Sequence, residues 1–280
     1  MVRLQFMANI LPLEKQATII SALAEGNSIR SIERMTGIHR DTVMRLGVRV
    51  GEGCAQMMDS KMRVLFCNRI EVDEIWGFIG KKQKNASTAD RAHGLGDVWT
   101  FLSIDPETKL MPSFVVGQRD RYHAVTFMQD LAARMSNRIQ LSSDAMIAYE
   151  DAVEMAFGPE VDYGQIVKQY ASPSEAEQRR YSAPEVTSVR KTCVVGMPNV
   201  DDICTSYIER ANLTARTHCK RLARLTLAFS KKLENFKAAI ALHLAYYNFV
   251  KTHSAVRCTP AMAAGIEKSH LTIGDLINAA

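Results

Sequence analysis

A chain of 280 residues, 47% hydrophobic and 23% charged, can order one sizeable domain plus a small appendage around a buried core, which argues against long disordered tracts. Its six cysteines, Cys54, Cys67, Cys193, Cys204, Cys219 and Cys258, form no C-x-x-C pair, so they signal neither a zinc ribbon nor a redox dithiol and read as reduced thiols. The apolar patch at the start is too short and too interrupted for a signal peptide, and no apolar run is long enough to span a bilayer, so a soluble cytoplasmic protein is expected. The net charge of +5 says little about partners. Its distribution says more. Between Arg210 and Lys237, eight cations face the single acid Glu234, a local balance of +7. Such a run is either a solvated helix face or a footprint for a phosphate backbone.

Residues 13–24 place Ala17, Ile20 and Leu23 or Ala24 at helical spacing, and Gly26-Asn27 ends the run. Ser28 is placed to cap a second helix bearing Ile29, Ile32 and Met35, and Thr36-Gly37-Ile38 turns the chain into a third helix over residues 39–50. This is the outline of a helix-turn-helix. In that motif the second helix of the pair enters the major groove, so His39, Arg40, Thr42 and Arg45 are the candidates for base edges or phosphates. A three-helix bundle used for dimerisation is the plainer reading. Gly37 at the sharp turn and the arginines 30, 34, 40, 45 and 49 favour DNA binding.

Residues 51–61 read as a connector, after which the pattern changes to strands. Residues 69–79 are rich in β-branched and aromatic types, and segments 98–104 and 110–117 flank a hairpin turn at 105–109. A helix over 122–134, a short strand over 138–143 and a helix over 145–157 follow, an order that suits an α/β domain with a mixed sheet. Residues 165–170 fit a further strand, 171–185 an exposed insertion, and 189–195 a strand or extended segment. With Asp201 or Asp202 as cap, a long helix runs through Ile208, Ala211, Ala215 and Leu222, and another spans 233–249 with Phe236, Ile240, Leu244 and Tyr247.

Three carboxylates stand out in this frame. Asp73 lies inside an otherwise apolar strand, where an ionised side chain needs a pair, a hydrogen bond or a metal. Asp144 ends a strand and precedes a helix, so it is either an N-cap or a ligand; Glu209 near a helix start is favoured by the dipole whatever else it does. Hard divalent cations such as Mg²⁺ take oxygen ligands, and two-metal phosphoryl transfer needs carboxylates from different elements converging on ions roughly 4 Å apart. Helical spacing from Glu209 puts Asn212, Arg216 and Lys220 on one face, ready for phosphates. By strand alternation Glu71 shares the Asp73 face and Glu74 points to the opposite one.

The segment Ser206-Tyr-Ile-Glu-Arg-Ala-Asn-Leu-Thr-Ala-Arg216, then Lys220-Arg-Leu-Ala-Arg224, Phe229-Ser-Lys-Lys232 and Tyr246-Tyr-Asn-Phe-Val-Lys-Thr-His253 resembles the C-terminal part of IS1-family insertion-sequence transposases. Asp73 in Val72-Asp-Glu-Ile-Trp76 and Asp144 in Ser142-Ser-Asp144 match the aspartates of that DDE pattern. The resemblance implies a ribonuclease-H-like catalytic domain in which Asp73, Asp144 and Glu209 bind Mg²⁺ or Mn²⁺, two ions in all. It further implies nicking of element ends and strand transfer into target DNA. On spacing and charge, Asn212, Arg216, Lys220, Arg221 and Arg224 are expected to contact double-stranded DNA, with a homo-oligomer of at least two copies on DNA and a nucleoid-associated location. Many members of the family carry an N-terminal cysteine motif of zinc-finger type, and this chain has none.

The expected organisation is a small all-α helix-turn-helix domain over residues 1–55, a linker over 56–67, an α/β catalytic domain over 68–265 with an insertion near 171–200, and a C-terminal tail over 266–280. Two other functions fit the same residues: a non-enzymatic helix-turn-helix regulator, and a nuclease of ribonuclease-H-like fold that cannot join strands.

Overall fold

The computed structural model describes residues 11–171 and 186–280. Residues 172–185, within the expected insertion, lie outside the described residues. The chain divides into two compact units that are interleaved in sequence. One contains the chain through Lys61, Gly77–Gly96 and Thr214–Ala280; the other contains Met62–Trp76 and Asp97–Leu213. These units cut across the division expected from sequence, because the C-terminal helices cluster with the N-terminal ones.

The first unit opens with α1 (Leu13–Ala24), α2 (Ile29–Thr36) and α3 (Arg40–Lys61). Ser28 caps α2 by accepting from the Ser31 N–H, and Gly37 ends it with a left-handed φ of 69°. A side chain at that φ would be strained, so glycine makes the turn into α3. The expected connector at 51–61 is instead the second half of α3. Val43, Leu46, Val50, Cys54 and Met58 continue one buried stripe at helical spacing. Gly51 and Gly53, which suggested a linker, serve close packing. A Cβ at Gly51 would lie 2.2 Å from the Ala238 carbonyl oxygen, and one at Gly53 2.5 Å from that of Ala279. α3 therefore packs its backbone against α8 (Leu233–Ala245) and the chain terminus. The tail also contains α9 (Pro260–Ala263) and α10 (Ile273–Asn278), whose Leu276 is fully buried.

The second unit is built on a mixed six-stranded sheet in the order β3-β2-β1-β4-β5-β6. Its strands are β1 (Arg69–Ile79), β2 (Gly96–Ile104), β3 (Phe114–Gly117), β4 (Ile139–Asp144), β5 (Val161–Tyr170) and β6 (Val186–Val195). β1 runs parallel to β4 and β4 parallel to β5, whereas β2–β3 and β5–β6 are antiparallel. The expected hairpin forms at Asp105, whose carboxylate accepts from the Glu107 N–H and the Thr108 hydroxyl. Part of the expected insertion is β6. The strand expected over residues 189–195 thus begins three residues earlier.

Helices α5 (Arg121–Ala132) and α6 (Ile147–Phe157) pack together, and Phe101 of β2 meets Phe127 and Tyr149 from them at ring-centroid distances of 5.8 and 6.4 Å. A short helix, α4 (Thr88–Ala92), precedes β2. The helix carrying Glu209, α7, spans Ser206–His218. It starts later and ends earlier than its apolar periodicity suggested. Asp201 and Asp202 lie in a separate 3-10 turn, and Leu222 is buried from the following loop.

Candidate active site

Parallel pairing decides where the first two carboxylates meet. Glu71 of β1 stands beside Ser142 of β4, so two residues on, Asp73 in the middle of β1 comes level with Asp144 at the carboxyl end of β4. Asp73 Oδ1 accepts from the Glu74 N–H at 2.8 Å and Oδ2 from Asn212 Nδ2 at 2.8 Å. Asp144 Oδ1 accepts from the Met146 N–H at 3.1 Å. Met146, not Asp144, is the N-cap of α6 and makes no side-chain cap bond.

Glu209 arrives from α7, and Glu71 holds that helix. The Glu71 carboxylate is 3% exposed and accepts from the backbone N–H groups of Tyr207 and Ile208, two donors that a helix start otherwise leaves without partners. Burial pushes the Glu71 carboxyl up, and the two N–H groups work against that. Alternation along β1 thus located Glu71 correctly, on the Asp73 side of the strand. Glu209 itself accepts from the Thr205 hydroxyl at 2.7 Å and pairs with the Lys168 ammonium.

Asp73, Asp144 and Glu209 line one cleft of about 880 Å³, together with Arg119, Lys168 and Thr205. Oxygens of Asp73, Asp144 and Glu74 all lie within 4.8 Å of one another. Glu74 is the member that sequence reasoning missed: alternation assigned it to the opposite face, yet its long side chain still brings an oxygen to the cluster. Its side chain is 2% exposed, Oε2 accepts from Arg119 Nε at 3.2 Å, and Oε1 has no hydrogen-bond partner. Burial, then the charges of Glu74, Asp144 and Glu209, push the Asp73 carboxyl up from 3.8 to about 7 against the lowering effect of the Glu74 N–H. Carboxylates held this close without enough cations fit a hard divalent ion.

The other candidate residues are placed differently. Asn212 is 8% exposed and donates to Asp73. Arg221 donates to the carbonyls of Ala228 and Phe229, and Arg216 to that of Leu222 at 3.1 Å, so both help fold the loop after α7. Lys220 and Arg224 are exposed on that loop. The basic run is therefore not one continuous helical face, as the sequence suggested. His39, Arg40 and Arg45 are exposed at the start of α3, and Thr42 beside them is partly exposed.

A mixed α/β sheet with carboxylates gathered on the parallel neighbours β1 and β4 is compatible with a ribonuclease-H-like fold. Residues 189–250, which contain most of β6, all of α7 with Glu209, and α8, match the family described as IS1 transposase, so this part of the chain is similar to that family. No curated protein matches the sequence.

Proposed function

We propose that this protein is a DNA transposase that binds the ends of an insertion sequence, nicks them, and joins the freed 3′-hydroxyl to target DNA. The observation that carries this reading is that Asp73 and Asp144, clustered on a central strand and its parallel neighbour, share the lining of one cleft with Glu209 from a helix. These three would hold a pair of Mg²⁺ or Mn²⁺ ions. Such ions, when bound, supply Lewis-acid activation of water and charge relief for the phosphate. The chain's own residues do the rest: Glu71 fixes α7, Asn212 orients Asp73, and Thr205 and Lys168 hold Glu209.

In this reading α2 and α3 form the helix-turn-helix that reads the element ends through His39, Arg40, Thr42 and Arg45. Lys220 and Arg224 contact backbone phosphates, and at least two copies act together on DNA. The exposure of these side chains supports it. The decisive experiment incubates purified protein with duplexes carrying the DNA that flanks its gene, Mg²⁺ and a target plasmid, and maps the products. Nicks at the ends followed by joined products support a transposase. Nicks without joining indicate a nuclease, and binding without nicking indicates a regulator.

A further inference from the structure

Arg119 sits in the segment between β3 and α5, with its guanidinium 5.2 Å from the centre of the Trp99 ring. Its Nε donates to the buried Glu74 at 3.2 Å, and its Nη2 stands 4.0 Å from Asp144 Oδ2. The side chain is 42% exposed and lines the same cleft as the three proposed metal ligands. Glu74 is therefore not a surface counter-ion that Arg119 meets by chance. A carboxylate that is 2% exposed in strand β1 cannot follow a mobile partner, so it anchors the guanidinium by the inner nitrogen and leaves Nη N–H groups directed at the cleft. The Trp99 ring limits the remaining freedom by stacking. Lys168, another cation lining the cleft, is already paired with Glu209.

The geometry points to Arg119 as a catalytic residue that binds a non-bridging oxygen of the scissile phosphodiester beside Asp144, with Glu74 as the residue that positions it. This inference rests on the transposase reading. A phosphodiester brought among Asp73, Asp144 and Glu209 meets negative charge, and a planar donor fork fixed beside Asp144 offsets it and grips the equatorial oxygens as charge builds on them. Arg121, the neighbouring cation of the cleft, has no such anchor: it pairs with the exposed Asp151 and is itself 64% exposed.

The test compares wild-type protein with Arg119→Ala, Arg119→Lys and Glu74→Gln on end duplexes. Single-turnover nicking should fall about 100-fold in Arg119→Ala, the scale on which loss of one preorganised donor acts. Arg119→Lys should recover part of the rate, since it restores charge without the fork. Glu74→Gln should lose about 10-fold, and the double variant should be no worse than Arg119→Ala, because Glu74 acts only through Arg119. A second readout needs no turnover. In Ca²⁺, the wild type should bind a duplex with the natural phosphate at the cleavage position more tightly than one with a neutral methylphosphonate there, and Arg119→Ala should not distinguish them. A wild-type protein that makes no nick overturns the transposase reading and this inference with it. Equal nicking by wild type and Arg119→Ala overturns the inference alone. So does additive loss in the double variant accompanied by Mn²⁺ binding as weak in Glu74→Gln as in Asp73→Asn, which would make Glu74 a metal ligand.

Discussion

The Glu71 carboxylate accepts a 2.8 Å hydrogen bond from the backbone N–H of Tyr207, so a residue of the central strand caps the helix that delivers Glu209. Glu71→Ala removes the acceptor for two N–H groups and leaves them buried, which should cost about 2 kcal/mol of stability and let Glu209 drift from Asp73. Glu71→Gln keeps an acceptor oxygen and should be milder in both respects. Thermal melting and single-turnover nicking of the two variants check this; an alanine variant with wild-type melting would dismiss the capping role.

Glu209→Gln keeps size and a carbonyl oxygen but removes the charge that helps hold a divalent ion. Fold and end binding should survive while nicking and joining fall by orders of magnitude. Asp73→Asn and Asp144→Asn should behave alike, and paired changes should be little worse than single ones. Glu154→Gln, exposed on α6 away from the cleft lining, is the control and should stay active.

The raised Asp73 carboxyl makes the metal-free protein sensitive to pH in a definite direction. Between the ordinary value of 3.8 and about 7, the folded chain keeps a proton that the unfolded chain releases. The stability from this group is therefore complete below about 4 and is lost as pH rises toward 7. In EDTA, Asp73→Asn should show a flatter fall in melting temperature over that window. Mg²⁺ should raise the melting temperature more at pH 8 than at pH 5, because only the ionised site binds it. Equal Mg²⁺ stabilisation at both pH values would contradict the site.

Arg40→Ala and Arg45→Ala should weaken end binding without changing thermal stability, since both side chains are exposed at the start of α3. Fluorescence anisotropy with specific and scrambled duplexes separates loss of recognition from loss of general affinity. Unchanged binding by both variants would remove α3 as the reading helix.

The basic run should split in two. Lys220→Ala and Arg224→Ala, both at exposed positions, should each reduce the slope of log K against log salt by about one unit. Arg221→Ala loses its bonds to the Ala228 and Phe229 carbonyls, and should lower the melting temperature instead. A salt slope for Arg221→Ala reduced like that of Arg224→Ala would mean that its side chain leaves the loop to meet DNA.

What could be read from sequence followed from local chemistry. Ser28 and Gly37 bounded α2, the apolar run 69–79 announced the central strand, and alternation put Glu71 on the side where it caps α7. What could not be read depended on partners distant in sequence. Gly51 and Gly53 resemble a linker until the Ala238 and Ala279 carbonyls are seen against them. Glu74 belongs to the far face by alternation, and nothing local says that Arg119 would hold it beside Asp144. Asn212 has the spacing of a phosphate contact, and only the tertiary fold turns it onto Asp73.

The packing of α3 against α8 bears on the order of events during synthesis. The helices proposed to read DNA leave the ribosome before α8, which packs against the helix that carries the buried Val50, Cys54 and Met58. Until α8 emerges, the nascent chain carries an uncovered apolar stripe, a state prone to wrong association. A polypeptide interrupted before α8 would thus lack a finished first unit however many of its carboxylates it carried, and any proposed grip of α3 on DNA would lack its packed support.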